Sequence, residues 1–111
     1  MNDDVQPLLR TAYNWLSEGR QVALATVIET WGSAPQPVGA KLVIDSDGRF
    51  EGSVSGGCVE GVVVDQARAA IKSCNPKVLT FGITDEMAWG VGLACGGTIR
   101  ILVEPLIMDH A

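Results

Sequence analysis

The stretch Ala40-Lys41-Leu42-Val43-Ile44-Asp45-Ser46-Asp47-Gly48-Arg49-Phe50-Glu51-Gly52-Ser53-Val54, followed by Ser55-Gly56-Gly57-Cys58 and then Val59 to Cys74, decides how this chain folds. Residues 40–44 and 49–54 read as two strands, and Asp45-Ser46-Asp47-Gly48 is the turn between them, so the pair forms a hairpin. Residues 58–74 carry Val59, Val62, Val63, Ala67, Ala70, Ile71 and Cys74 at helical spacing, which makes one apolar stripe. Glu60, Asp65, Arg68 and Lys72 fall largely off that stripe. Ser55 is a candidate helix cap, and Asn75-Pro76 stops the helix.

Outward from that stretch, Val5, Leu8, Leu9, Ala12, Trp15 and Leu16 predict a helix over 4–18, ended by Gly19. The apolar run Val22 to Thr30 predicts a strand covered on both faces. Residues 77–82 and 98–104 predict two more strands, the second with Ile99, Ile101 and Val103 on one face and Pro105 closing it. Residues 84–89 predict one helical turn capped by Thr84. The expected fold is a single compact α/β domain over 1–111, with one mixed β-sheet packed by two main helices.

Composition narrows the classes of function. The chain has 111 residues, 47% hydrophobic and 19% charged, enough for a core of Val, Ile, Leu and Ala. A net charge of −5 with scattered cations argues against nucleic acid or an anionic membrane as partner. No apolar run reaches the roughly 18 residues of a membrane-spanning helix. Met1-Asn2-Asp3-Asp4 lacks the basic and apolar pattern of a secretory signal. Three cysteines without framework spacing then read as reduced thiols, and the expected compartment is the cytoplasm.

Chemistry concentrates in two glycine-flanked cysteines. In Gly52-Ser53-Val54-Ser55-Gly56-Gly57-Cys58, a helix starting beside Cys58 would turn free N–H groups and the positive end of its dipole toward the preceding loop. Such an end binds anions and favours thiolate, and Ser53 and Ser55 add hydroxyl donors. The plainer alternative is a tight turn around a small buried cysteine. Cys95 follows Gly90 and Gly92 and precedes Gly96-Gly97, a loop able to bring its N–H groups to a ligand. That loop leads into a strand and lacks the dinucleotide-binding pattern, so a structural bend is the alternative there. Cys74, on the helix stripe, reads as buried packing.

Other sites fare worse. Structural zinc needs four ligands, and neither close cysteine pairs nor internal histidines are present. The sole histidine, His110, sits at the penultimate position, which disfavours a Cys–His or Ser–His nucleophile. The loop from Trp31 through Ser33 and Gln36 to Gly39, with Lys41 nearby, offers an apolar wall and polar contacts, or only a stiff connection. Thr84-Asp85-Glu86-Met87-Ala88-Trp89 is explained by capping and packing.

Taken together, Thr30-Trp31-Gly32-Ser33-Ala34-Pro35, Gly52 through Glu60, Asp85-Glu86 and Gly92 through Pro105 resemble the N-terminal domain of the XdhC/CoxI family, in order and spacing, over nearly the whole chain. The resemblance implies a maturation chaperone, an accessory protein more than an enzyme. It would bind molybdenum cofactor, a pterin with a dithiolene, a phosphate and a molybdenum centre. It would assist sulfuration of that cofactor or its insertion into a hydroxylase of the xanthine dehydrogenase or carbon monoxide dehydrogenase type.

Carried onto this chain, Cys58 and Cys95 become sulfur or metal contacts, Gly56, Gly57, Gly96 and Gly97 loop walls, and Ser53 and Ser55 donors. Position 36 is Gln where many relatives are expected to carry arginine, which removes an anion contact. The resemblance implies that longer members carry a Rossmann-like second domain; none is expected within residues 1–111, so a separate Rossmann-domain partner is expected. A cysteine desulfurase, the client hydroxylase and a second copy in a homodimer complete the expected partners. Two alternatives remain open: a persulfide-transfer enzyme using Cys58, and a non-catalytic docking module.

Overall fold

The computed structural model describes residues 5–31, 37–54, 59–81 and 98–106. Helix α1 spans Val5–Ser17 and strand β1 Val22–Trp31. The hairpin is β2, Lys41–Asp45, and β3, Phe50–Gly52. Helix α2 spans Glu60–Ser73, followed by β4, Lys77–Phe81, and β5, Thr98–Leu106.

The hairpin forms where its turn chemistry places it. Gly48 takes φ 93°, a conformation that suits glycine. The Asp45 carboxylate accepts from the backbone N–H of Asp47 and of Arg49, both at 2.9 Å. It also meets the Arg20 guanidinium at 3.1 Å. Gly19, at φ 84°, ends α1 with its N–H on the Leu16 carbonyl at 3.0 Å.

The five strands lie in the order β3-β2-β1-β5-β4. Every neighbouring pair is antiparallel, so the sheet is not mixed as expected. The reason lies in where the helical crossover lands. β3 and β4 flank α2 and run in the same direction, as a β-α-β unit requires. They stand at opposite edges with three strands between them, so no parallel ladder forms.

Strand alternation sorts the side chains onto two faces. Ala23, Ala25, Val27, Leu42, Ile44, Leu79, Phe81, Ile99, Ile101 and Val103 join Val63, Val64, Ala67, Ala70 and Ile71 of α2 in the main core. On the other face Val22, Leu24 and Val43 pack with Ala12, Trp15 and Leu16 of α1. Leu9, expected on the α1 stripe, is exposed. α1 covers β1 and β2 and reaches Leu106 at the end of β5. Across β5 and β4 that face carries Leu102, half-buried, and Val78, 56% exposed.

Three strand details depart from expectation. β1 is buried without a break only from Val22 to Ala25; beyond it Val27 alone is buried, on the α2 face, and the other residues are half-buried or exposed. A bulge at Ile28 shifts the β1–β5 register, pairing Val27 with Ile101 but Glu29 with Arg100. β5 runs through Pro105 to Leu106. β4 begins opposite Val103, so the strand beyond Val103 has a neighbour on one side only and accommodates a residue without an N–H.

Candidate functional site

Cys58, Cys95, Gly56, Gly57, Gly96, Gly97 and Ser55 lie outside the described residues, as do Ser33, Gln36 and the Thr84–Trp89 segment. What the fold does place are the positions from which those segments leave and to which they return. Trp31 ends β1, Phe81 ends β4, and Thr98, opposite Trp31, begins β5. Phe81 faces Ile99 one position further on. Ser53 continues β3 in the same direction, with its N–H on the Lys41 carbonyl at 3.1 Å. Val59 re-enters α2, and Gly39 and Ala40 hydrogen-bond to Val27. All these attachments are at one end of the sheet. The segments bearing Cys58 and Cys95 are therefore rooted at the same end.

The Cys58 segment is pinned on both sides. Val54 before it and Val59 after it are buried in the main core. Glu60, expected off the apolar stripe, is only 7% exposed. Its Oε2 accepts from the Ser53 hydroxyl at 2.8 Å and from the Val54 backbone N–H at 3.0 Å. The carboxylate thus joins the residues that bracket Ser55-Gly56-Gly57-Cys58. Sequence reasoning passed over this role because an acidic residue in a helix's first turn already has a reason to be there. The signal available was the placement of Glu60 seven residues after Ser53, across two glycines.

Two expectations shift at this helix. α2 begins at Glu60, and its N-cap is Val59 without a side-chain cap bond, so Ser55 is not the cap. Cys58 consequently precedes the N-cap, and the helix's positive end carries Glu60's own carboxylate. Ser53 was expected to donate to an anion, but its hydroxyl donates to Glu60. Gly52 opens this segment at φ +99°. A Cβ there would collide with the Lys41 carbonyl oxygen and come 2.9 Å from Leu8 Cδ1, so glycine is required.

Cys74 is not buried packing. The helix ends at Ser73, and Cys74 takes φ 58° as the C-cap, where its thiol is exposed. Its N–H bonds the carbonyls of Ala70 and Ile71, which stops the helix one residue before the stripe would bring the thiol inward. It borders a cavity of about 220 Å³ lined by Leu16, Arg20, Val22, Ile71 and Leu106. That cavity sits at the opposite end of the sheet from the segments above.

Beside the cysteine-bearing end, on the face α1 leaves open, Trp31 is 47% exposed. The Arg100 guanidinium carbon lies 5.6 Å from its ring centroid, a cation–π stack. Arg100 Nη1 also pairs with Glu29 Oε1 at 2.6 Å. Lys41 Nζ donates to the Thr26 hydroxyl at 3.1 Å on the same face. Among the described residues no cluster of His, Cys, Asp and Glu could hold a metal ion, and no helix is long and apolar enough to cross a membrane.

Fold and site define a class: a small antiparallel α/β domain whose glycine-rich, cysteine-bearing segments leave and rejoin the sheet at one end. Residues 15–82 match the model of the XdhC and CoxI family, and the chain belongs to that family. It is 35% identical over 107 residues to the molybdenum cofactor insertion chaperone PaoD of Escherichia coli, covering 96% of this chain and 33% of that protein. It is 29% identical to a probable xanthine dehydrogenase component of Bacillus subtilis, over 85% of this chain and 29% of that one. A crystal structure of a xanthine dehydrogenase from Bacillus halodurans superposes with a TM-score of 0.73 and 28% identity, over 89% of this chain and 30% of that chain. The chain therefore spans about a third of the length of these relatives.

Proposed function

We propose that this domain binds molybdenum cofactor as cargo and assists its sulfuration or insertion into a hydroxylase of the xanthine dehydrogenase or carbon monoxide dehydrogenase type. The observation that carries the reading is the common anchorage of the Cys58 and Cys95 segments at one sheet end, in a chain 35% identical to a cofactor insertion chaperone. Cys58 immediately precedes the buried Val59, and Cys95 stands three residues before Thr98. In this reading the two thiols contact the metal or its exchangeable sulfur. Gly56, Gly57, Gly96 and Gly97 allow close backbone approach, and Ser55 donates to the cargo. Ser53 acts differently, holding the Cys58 segment in place through Glu60.

The client is a molybdenum enzyme. A cysteine desulfurase supplies sulfur, and a separate Rossmann-type domain shares the grip on the cargo. Cytoplasmic action and assembly as a homodimer complete the reading. Anaerobic titration of the full chain with molybdenum cofactor should give a stoichiometric complex, weakened in Cys58→Ala and in Cys95→Ala. Absence of binding under both reducing and oxidising conditions would falsify the proposal.

A further inference from the structure

The Trp31–Arg100 stack sits where the cysteine-bearing segments join the sheet, and packing does not explain it. Trp31 is the largest side chain at that end among the described residues, yet nearly half of it is exposed. The ion pair that steadies Arg100 is itself 42% and 45% exposed on its two sides, and exposed pairs add little to stability. What the three residues form is an open platform: an indole plane, a guanidinium over it at 5.6 Å from its centroid, and a carboxylate fixing the guanidinium. Trp31 immediately precedes the 32–36 segment, and its cross-strand partner Thr98 closes the segment that bears Cys95.

We propose that this platform receives the flat 2-amino-4-oxopyrimidine ring of the cofactor's pterin, an inference that rests on the function proposed above. Flat heterocycles stack on indole and guanidinium faces alike. Arg100 has N–H groups beyond the one on Glu29, and these donate to the ring carbonyl oxygen. Glu29 is a positioning residue, holding Arg100 over Trp31. The division of labour follows from anchorage: the thiol-bearing segments take the metal and dithiolene, and the strand ends take the far ring. The chain would thereby distinguish a pterin cargo from a bare metal or a sulfide.

The test uses the full chain and two probes, molybdenum cofactor under anaerobic conditions and a simple pterin lacking metal, dithiolene and phosphate. Pterin binding, read by quenching of its own fluorescence, should weaken about tenfold in Trp31→Leu, the size expected for one lost stacking contact. Trp31→Phe should restore most of it. Arg100→Gln, which leaves the sheet intact, should weaken both probes, with an unchanged melting curve as the check on folding. If Trp31→Leu and Arg100→Gln bind both probes as the wild type does, the platform is overturned and the chaperone reading stands. If the wild type binds cofactor but not pterin, the platform is likewise overturned. Binding of pterin without cofactor would support the platform and overturn the chaperone reading. Failure to bind either probe overturns both.

Discussion

The two faces of the sheet are made from alternate residues of the same strands, yet they end in different states. On the α2 face, Ile99, Ile101 and Val103 of β5 are fully buried, and the seal extends to Val54 and Val59 beside the Cys58 segment. On the other face, α1 covers β1 and β2 and leaves Leu102 half-buried and Val78 exposed. The sealed face fixes where the Cys58 segment begins and ends. The open face is where polar and aromatic side chains collect at the same end. A small domain thus separates rigidity from access by covering one face of its sheet and half of the other.

Adjacent residues of β5 offer the sharpest way to break that comparison. Ile101→Ala should destabilise the fold by about 2–5 kcal/mol, as expected for a large-to-small change in a packed core, measured by urea unfolding. Glu60→Ala should cost about 1–3 kcal/mol, since it removes the carboxylate that accepts from the buried Val54 N–H. It should also speed proteolytic cleavage between Val54 and Val59. Leu102→Ala, one residue from Ile101, should cost no more than about 1 kcal/mol, because its side chain is only half-buried. If Leu102→Ala matches Ile101→Ala, the second face is sealed as well. Val78→Thr, at the exposed β4 edge, should stay within about 0.5 kcal/mol of the wild type.

Much of this architecture was legible in the residues. The Asp45-to-Gly48 turn and the stripe from Val63 to Ile71 are local patterns, and each element they predicted is present. The strand directions were not legible. A helix between two strands signals a parallel crossover, but nothing local says that three other strands will separate β3 from β4. Glu60 and Cys74 show the same limit at single residues. Helical periodicity put the carboxylate outside and the thiol inside. A tertiary partner at Ser53 and a left-handed cap at position 74 reversed both. Of the candidate site, the sequence picked out the glycine-cysteine segments. Their common anchorage needed the sheet register, and so did the meeting of Trp31 with Arg100, far apart in the chain.

The bulge at Ile28 has a consequence for how this surface could change over time. In an uninterrupted ladder, Glu29 and Trp31 would share the side of Val27 and point into the core beneath α2. The single extra residue inverts the parity of everything after it, which brings Glu29 opposite Arg100 and sends Thr30 opposite Ile99. Point substitutions can adjust the platform, but a one-residue deletion would erase it, burying a carboxylate and an indole at once. Loss or gain of one codon in β1 would thus remove or create this open aromatic end in a single step.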